Sequence, residues 1–593
     1  NCAARVFSKP LLPTPPPTWN NKPSDFDLGG NMNQLTGAEA FVRTLQHHGV
    51  KHIFGLCGDT SLPLYDALHR LDHGITHILT RDERHAGYMA DVYARVTGRV
   101  GVCEGPSGGG ATYILPGLVE AGESSVPVLG ITSDVSVASN GHYPLTELSQ
   151  KDLFRPLTKY NNVINLAGEL PSMVRAAFRA MTTGRPGSAH LALPYDVQTA
   201  PVTESEIWAQ SDFETYPAWP AAPSDDAVDG FVKALTAAKN PLIICGGGVV
   251  LAGGEAELQR LAEGLNIAVA TTVSGQGSLS DLHPNCLGVV GSNGGVVETR
   301  AVVEEADLII FVGCRAGSVT TERWRFPAMG SKIAHIDSDP MAVSANYHTD
   351  IPLIGDARLT LAAINVALEA DGVDGVDFGG ATRITKARET KFAAFEELST
   401  SNETPIRPER LIADLNDVLP DDAVLIADPG TPCPYISAYY RVDRPGRHFI
   451  SNRAHGALGY SLSAAIGAQI GRPDAKIVAM MGDGSFGMAV GEFETVTRLG
   501  LPITYIVVSN SVYGWIKAGQ KSGFDERYFS VDFNRTDHAA VAEAFGIKSW
   551  TVDDPGQLKF VLAEAVKHDG PTLVDVITQP LQDARAPVSE WVA

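Results

Sequence analysis

The chain has 593 residues, of which 44% are hydrophobic and 19% charged, and its formal net charge is −22. A chain of this length is too long for one hydrophobic core and is expected to divide into about three or four domains. Its apolar stretches are shorter than the roughly 18 residues needed to span a membrane, so no membrane partner is predicted. Its acidic balance would repel a polyphosphate backbone, which argues against nucleic acid as a partner.

The cysteines and the first residues bear on the compartment. The seven cysteines are scattered and form no CxxC pair, which indicates free thiols in a reducing compartment, and we predict a cytoplasmic protein. Residues 1–33 are rich in Pro and Asn and lack the long apolar run of a secretion signal, so we interpret them as a tail. If this tail is the remnant of a targeting peptide, an organelle becomes the expected location.

Regular patterning begins near Leu35 and predicts the fold class. Short apolar runs such as HIFG, VGVCEG and VPVLGIT are each followed by a Gly- or Ser-rich turn and a helical stretch, which is typical of a parallel sheet wrapped by helices. The same alternation returns after each of two polar linkers. We predict an α/β chain of three domains, each a mainly parallel sheet flanked by helices, over residues 34–205, 225–370 and 400–593.

The strongest site signal lies in the segment KIVAMMGDGS…ITYIVVSN. One buried strand ends at Gly482-Asp483-Gly484-Ser485, and the next strand ends at Ser509-Asn510. A carboxylate and an amide oxygen at neighbouring strand ends suit Mg²⁺, which prefers hard oxygen ligands. The glycines let backbone N–H groups approach phosphate oxygens beside a helix N-terminus. GDG alone is typical of an ordinary turn, but its combination with the crossover and the terminal Asn favours a metal and phosphate site.

This segment resembles the thiamine-diphosphate motif, and the chain from about Leu35 onward is similar to the acetolactate-synthase-like family. The resemblance implies the order pyrimidine-binding, central nucleotide-binding-like, and diphosphate- and Mg-binding domain, with the thiamine-diphosphate-binding fold in the first and third. It implies that Asp483, Asn510 and the Val512 carbonyl bind Mg²⁺. The residues that would contact thiamine diphosphate are, by the same resemblance, Pro429, Gly430, Thr431, Gly456, Leu458, Gly482, Gly484, Ser485, Tyr513 and Gly514.

The segment LTRDERHAGYMADVYARVTG resembles the family's segment with the catalytic glutamate, which would be Glu83. In the family this carboxyl hydrogen-bonds to N1′ of the cofactor's pyrimidine and drives its amino-to-imino shift. That role needs a protonated, shielded carboxyl, and burial would supply it by raising the pKa. From the residues alone, the preferred interpretation is that Glu83 is one member of a solvated charged run with Arg81, Asp82 and Arg84.

Substrate contacts are predicted less sharply. The resemblance places Cys57 and Gly58 near the reacting carbons and Glu147 in a segment that approaches the substrate. Branched-chain biosynthetic members carry a tryptophan where this chain has Gly519, so the acceptor pocket is predicted to differ. Trp515 and Lys517 lie in that loop, and Lys517 either pairs with a substrate carboxylate or is an ordinary solvated lysine.

The resemblance also implies the activity and the assembly. We predict a carboligase/lyase that decarboxylates a pyruvate-like 2-oxo acid and transfers the acyl carbanion to a second carbonyl compound. The alternatives are a decarboxylase without ligation, a 2-hydroxyacyl-CoA or oxalyl-CoA lyase, and a flavin-linked 2-oxo acid oxidase. The central domain, with Arg315 and Asp337 after its strands, could hold FAD, ADP or nothing. A homodimer or homotetramer with the active site at a subunit interface is expected.

Overall fold

The computed structural model describes residues 34–373 and 376–589, so the predicted tail at 1–33 lies outside the described residues. The described residues form three six-stranded sheets, in which the paired strands are all parallel, and one two-stranded antiparallel sheet. The predicted three-domain parallel α/β fold is therefore confirmed. Across these same ranges, no helix has both the length and the apolar character to cross a membrane.

The first domain begins with a helix that its sequence caps well. Thr36 accepts a hydrogen bond from the Glu39 N–H, and the Glu39 carboxylate accepts from the Thr36 N–H at 2.8 Å, so two helix-end donors are satisfied. The strands are β1 (Gln34–Thr36), β2 (His52–Gly55), β3 (Thr76–Leu79), β4 (Gly101–Gly105), β5 (Val128–Asp134), β6 (Tyr160–Val163), β7 (Ala189–Pro194) and β8 (Pro201–Thr203). The helices are α1 (Gly37–His47), α2 (Leu62–Arg70), α3 (Glu83–Thr97), α4 (Gly109–Tyr113), α5 (Leu115–Glu123), α6 (Gln150–Phe154), α7 (Leu170–Thr182) and α8 (Tyr195–Thr199).

The first sheet runs β3-β2-β4-β5-β7-β6, and β1 pairs with β8 beside it. Every residue of β4, β5 and β7 is buried, because helices cover both faces of the sheet. The sequence patterning predicted these continuous apolar runs. The antiparallel β1-β8 pair, which joins the two ends of the domain, has no comparable local signal.

The central domain repeats this plan in the order β11-β10-β9-β12-β13-β14. The 20-residue helix α14 leads from it to the third domain. The strands are β9 (Pro241–Cys245), β10 (Ala268–Thr271), β11 (Cys286–Val289), β12 (Leu308–Val312), β13 (Ile333–Asp337) and β14 (Ile351–Ile354). The helices are α9 (Asp225–Thr236), α10 (Gly247–Ala252), α11 (Glu255–Gly264), α12 (Val297–Glu304), α13 (Ala357–Ala370) and α14 (Gly380–Ser399).

The third sheet runs β16-β15-β17-β18-β20-β19. Its strands are β15 (Val424–Ala427), β16 (Phe449–Ser451), β17 (Ile477–Gly482), β18 (Thr504–Ser509), β19 (Lys548–Val552) and β20 (Thr572–Ile577). The helices are α15 (Pro408–Val418), α16 (Pro432–Tyr439), α17 (Ser461–Gly471), α18 (Asp483–Ala489), α19 (Phe493–Leu499), α20 (Gly514–Gly523), α21 (His538–Ala544) and α22 (Pro555–Lys567).

The first and third domains share one hydrophobic core, formed where α3 packs against α17. Tyr88 packs edge-on against Tyr460, with ring centroids 5.1 Å apart. A Cβ on Gly467 would lie only 2.0 Å from the Met89 carbonyl oxygen, so glycine is required for this close approach. The two domains are consequently rigid supports for the loops at their sheet ends.

A buried histidine of the first domain should make the fold sensitive to acid. His48 stacks on Phe178 with ring centroids 4.1 Å apart, neither ring nitrogen has a hydrogen-bond partner, and burial lowers its pKa to about 4. In the unfolded chain the pKa of this histidine is about 6.5, so on acidification it is protonated at a higher pH than in the folded chain. The free energy of unfolding therefore decreases as the pH falls from about 6.5 towards 4, by a total of about 3 kcal/mol.

Urea unfolding of the His48→Leu variant tests this expectation. Leucine preserves the apolar packing and removes the titration, so the variant should lose less stability on acidification than the parent protein. The exposed neighbour His47 gives the matched control His47→Leu, which should follow the parent. Equal acid sensitivity of His48→Leu and the parent would contradict the assignment.

Candidate active site

A cavity of about 370 Å³ opens at the carboxyl end of the third sheet. Every residue that lines it belongs to residues 292–323 of the central domain or to residues 429–516 of the third. Ligands of open parallel sheets bind at this end of the strands. The predicted cofactor contacts that line the cavity are Pro429, Gly430, Thr431, Gly456, Leu458, Gly482, Asp483, Gly484, Ser485, Val512, Tyr513 and Gly514.

Asp483 and Asn510 meet because β17 and β18 are adjacent parallel strands. One Asp483 carboxylate oxygen accepts hydrogen bonds from the backbone N–H groups of Asn510 (2.8 Å) and Ser511 (2.6 Å). The other accepts from the Gly484 N–H at 2.9 Å. Burial raises the pKa of Asp483 above its ordinary value, although these three N–H groups act in the opposite direction. The carboxylate is thereby fixed at the mouth of the cavity.

The turn after Asn510 is conformationally strained. Ser511 has φ of 58°, the left-handed region that costs a non-glycine residue energy. The following residues are tied down, because Val512 forms an isolated bridge with Asp532 and the Tyr513 N–H donates to the Val531 carbonyl at 2.9 Å. The strain is therefore stabilised from outside the turn, as is common where a backbone carbonyl is aimed at a ligand.

The geometry of the cavity fits a metal-bound diphosphate. A Cβ added at Gly456 or Gly482 would meet no atom within 4 Å, so the backbone borders open space at these positions. Asp428 and Asn510 do not line the cavity, but Asp428 precedes Pro429, which does, and Asn510 bonds Asp483. Two buried polar atoms of these residues have no hydrogen-bond partner, Asp428 Oδ2 and Asn510 Nδ2. Buried polar groups are normally satisfied, so such atoms point to a missing ligand. The described residues contain no cluster of three His, Cys, Asp or Glu side chains able to hold a metal.

The loop that carries Gly456 is positioned by the first domain. Glu120 Oε2 accepts hydrogen bonds from the backbone N–H groups of Ala454 (3.2 Å) and His455 (2.7 Å). Its other oxygen accepts from Arg95 at 3.1 Å, and Arg95 also donates to Asp91, so one guanidinium links two buried carboxylates. Sequence reasoning missed Glu120 because 334 residues separate it from Ala454.

Glu83 lies at the start of α3, in the first domain, and is not one of the residues that line the cavity. Its side chain is 8% exposed, and burial raises its pKa above the ordinary value, with Asp82 and Glu104 acting in the same direction. A Cβ on Gly110 would lie 3.1 Å from Glu83 Oε1, so this glycine makes room for the carboxyl. The solvated-run interpretation does not describe this buried side chain, which has the character predicted for the catalytic role.

The turn before Glu83 is held by Glu492 of the third domain. Glu492 Oε1 accepts hydrogen bonds from the N–H groups of Arg81 (2.8 Å) and Asp82 (3.1 Å) and contacts His85 Nδ1 at 3.1 Å. Glu492 is fully buried. No local sequence pattern signals this contact, which joins residues about four hundred positions apart.

The other first-domain predictions lie on loops that contact one another. Gly58 lies against Pro106, and Ser107 bonds both Thr60 (3.0 Å) and Thr146 (2.7 Å), the residue before Glu147. Cys57 is half-buried, and burial raises the pKa of its thiol. Glu147 accepts a hydrogen bond from the Gly141 N–H at 2.6 Å. The predicted residues thus form two groups, one on the first domain and one around the cavity.

The two predicted substrate residues of the loop after Asn510, Trp515 and Lys517, lie in different surroundings. Trp515 lines the cavity together with Ile516. The Lys517 ammonium lies 2.6 Å from Asp532 and over the Tyr528 ring, and Lys517 does not line the cavity. Gly519 follows on the same helix, α20. Within this chain, the Lys517 ammonium is paired with the Asp532 carboxylate, and its side chain is 16% exposed.

A second cavity, of about 620 Å³, lies at the carboxyl end of the central sheet. The turn Gly246-Gly247-Gly248 lines it together with Arg315 and Asp337, so the residues predicted for a nucleotide come together there. Arg453, Ser318 and Val319 line both this cavity and the smaller one. The two spaces therefore adjoin.

These features describe a parallel α/β protein whose cavity at the carboxyl end of the third sheet fits a metal-bound diphosphate. Sequence profiles of three families match in the same order, described as the N-terminal TPP binding domain (35–153), the central domain (228–364) and the C-terminal TPP binding domain (428–576) of thiamine pyrophosphate enzymes. The chain belongs to the thiamine pyrophosphate enzyme family, and within it to the group similar to acetolactate synthases.

Three relatives illustrate the similarity. The probable acetolactate synthase large subunit of Methanocaldococcus jannaschii is 34% identical over 569 residues (92% of this chain, 93% of the relative). The probable large subunit of Methanococcus aeolicus is 32% identical over 571 residues (92% of each). The large subunit of acetolactate synthase isozyme 3 of Escherichia coli is 31% identical over 549 residues (91% of this chain, 93% of the relative). The matches support a thiamine-diphosphate-dependent enzyme of decarboxylation and carboligation and do not favour the three alternatives.

Proposed function

We propose that the enzyme joins two molecules of a pyruvate-like 2-oxo acid, releasing one CO₂. The observation that carries the proposal is the Asp483–Asn510 pair at adjacent strand ends, opening on a glycine-bordered cavity. Thiamine diphosphate, when bound by the residues around this cavity, would supply the carbanion chemistry on which decarboxylation and acyl transfer depend. With pyruvate as both substrates, two pyruvate anions and one proton give acetolactate and CO₂.

Asp483, Asn510 and the Val512 carbonyl would hold Mg²⁺ in this proposal. A carboxylate, an amide oxygen and a backbone carbonyl suit a hard cation that shares a cofactor's phosphates. The unpartnered amide nitrogen of Asn510 is a donor and would suit a phosphate oxygen. The N–H groups of Gly484 and Ser485, at the first turn of α18, would face the diphosphate. Gly456 would offer its backbone carbonyl, and Leu458 its side chain, to the rings of the cofactor.

Glu83 of a second subunit would complete the site, so we propose a homodimer as the smallest active unit. The support is the division of the predicted residues into two groups, because Glu83 does not line the cavity of its own chain. Large apolar side chains are exposed beside both groups, which is typical of surfaces that bind a partner. Those of the first domain are Leu62, Tyr113, Tyr143 and Leu145, and those of the third are Met488, Ile516, Phe524 and Phe529.

In the central cavity we propose a phosphate-bearing nucleotide, FAD or ADP. Arg447 lines this cavity, burial lowers the pKa of its guanidinium, and its Nε has no hydrogen-bond partner. No ion pair among the described residues includes Arg447, so an anionic ligand would supply the missing partner. The purified protein should release FAD, visible by its flavin spectrum, or ADP, visible by chromatography, on denaturation. A nucleotide-free protein that is fully active would contradict the proposal of a bound nucleotide.

The six described cysteines are all free, which supports a reducing compartment such as the cytoplasm.

Incubation with pyruvate, Mg²⁺ and thiamine diphosphate tests the function directly. Mass spectrometry should detect acetolactate, with one CO₂ released per acetolactate formed. Omission of Mg²⁺ or of thiamine diphosphate should abolish the product. Acetaldehyde as the main product would indicate decarboxylation without ligation, and acetate would indicate oxidation. Either result would contradict the proposed carboligation.

A further inference from the structure

A second charged residue, Arg453, faces the cavity in which Asp483 lies. The charged side chains that line this cavity are Asp483, Arg323 and Arg453. Arg453 follows β16 and precedes Gly456, and its side chain is half-buried. The sequence placed this segment beside the cofactor but gave no role to its arginine.

Arg453 is held by a neutral partner. The side-chain oxygen of Asn293, in the amide orientation that satisfies both residues, accepts from Arg453 Nη1 (3.0 Å) and Nη2 (2.9 Å). Asn293 itself is buried and fixed by the end of the chain, through a bridge to Val588 and a hydrogen bond from the Gly294 N–H to the Pro587 carbonyl at 3.0 Å. The guanidinium is therefore oriented without being neutralised.

No carboxylate of the described residues forms an ion pair with Arg453, and its remaining contact is with Cys433 Sγ at 4.0 Å. A half-buried guanidinium that borders a cavity and lacks a counter-charge favours an anionic ligand. Two anions are expected in this cavity, the diphosphate and the substrate carboxylate. Either anion is a candidate ligand of Arg453.

Its position favours the substrate. The residues at the proposed diphosphate end, Asp483 to Ser485, line only the smaller cavity, whereas Arg453 also lines the central one. Ser318 and Val319 of the central domain likewise line both cavities. Arg453 thus lies where the two cavities adjoin, whereas the residues of the proposed diphosphate end line only the smaller one.

We infer that Arg453 binds the carboxylate of the acceptor 2-oxo acid and thereby selects acids over uncharged aldehydes. The inference rests on the proposed carboligation. In that step the acceptor's carbonyl carbon forms the new C–C bond and its oxygen takes a proton, while the carboxylate is unchanged. Arg453 accordingly acts in acceptor choice, and the release of CO₂ from the donor does not require it.

A competition between two acceptors measures this choice. Pyruvate is the donor, and 2-oxobutyrate competes with propanal, which has the same alkyl group and no carboxylate. The ratio of the two cross-products is fixed after the donor has reacted, so it is independent of cofactor loading. Loss of a charge-assisted hydrogen bond should shift this ratio towards the aldehyde by about 10- to 100-fold in Arg453→Gln.

Two further variants sharpen the test. Arg453→Lys keeps the charge but loses the fork geometry, so its ratio should lie between those of the parent and Arg453→Gln. Arg444→Gln removes an arginine that is paired with Asp421 at the surface and should leave the ratio unchanged. Binding of thiamine diphosphate with Mg²⁺, followed by thermal shift, should be equal in Arg453→Gln and the parent.

An unchanged ratio in Arg453→Gln, in an enzyme that still ligates, would overturn this assignment and leave the proposed function intact. Weakened cofactor binding with an unchanged ratio would instead make Arg453 a diphosphate contact and would equally overturn it. If the parent protein ligates neither acceptor, the proposed function fails, and this inference fails with it.

Discussion

Replacing Glu83 by Gln should lower the rate of carboligation by about 10²- to 10⁴-fold, the usual contribution of a positioned acid or base. The buried Glu83 carboxyl has a raised pKa, so it can be protonated and donate a hydrogen bond to a ring nitrogen. The glutamine amide has nearly the same shape, but it cannot exchange that proton. The change should therefore reduce kcat while cofactor binding through Asp483 is retained.

Steady-state rates and a thermal shift with thiamine diphosphate and Mg²⁺ measure the two effects separately. Glu206→Gln, at an exposed position of the same domain, is the matched control and should behave like the parent. Full activity of Glu83→Gln would show that this carboxyl is not catalytic. Loss of cofactor binding together with the rate would mean that Glu83 supports the structure of the site.

Replacing Asp483 by Asn should remove Mg²⁺-dependent cofactor binding. The Asp483 carboxylate is oriented by three backbone N–H groups, and the amide would offer one of them a poor acceptor while losing the negative charge that the cation needs. A loss of affinity of at least about 100-fold is expected, since even residues that only support a metal ligand contribute 10- to 100-fold.

The size of the thermal shift follows from mass action. Ligand at 100 times its dissociation constant stabilises the parent by about 2.7 kcal/mol, and the same concentration stabilises a variant bound 100-fold more weakly by about 0.4 kcal/mol. Asp474→Asn, at an exposed position of the same domain, should retain the full shift. An Asp483→Asn variant with the parent's shift would place the metal elsewhere.

The sheets and the cavity were predictable because their signals are local. Each buried strand is a continuous apolar run. When a polar residue directly follows each of two neighbouring strands, the parallel fold alone brings both residues to the same end of the sheet. Asp483 and Asn510 meet for this reason. The burial of Glu83 could not be predicted in this way, because its sequence neighbours are charged. Only the folded chain shows that this side chain is buried.

The supports of the site could not be predicted in this way. Glu120 and Glu492 bond backbone groups in the other domain, and the Asn293–Arg453 pair joins the central and third domains. Such contacts depend on how whole domains pack, and each buried carboxylate satisfies N–H groups that carry no side-chain signature. The sequence therefore indicated which residues could do chemistry, but not which residues hold them in place.

Mixing two inactive variants tests most directly whether the active site is shared between subunits. Glu83→Gln and Asp483→Asn chains, unfolded and refolded together, should form heterodimers in which one of the two sites has both Glu83 and Asp483. Random pairing in a two-fold symmetric dimer predicts recovery of about one quarter of the parent's carboligation activity. If the mixture is no more active than the separate variants, although mixed dimers have formed, Glu83 and Asp483 do not meet across the interface, and the account is wrong.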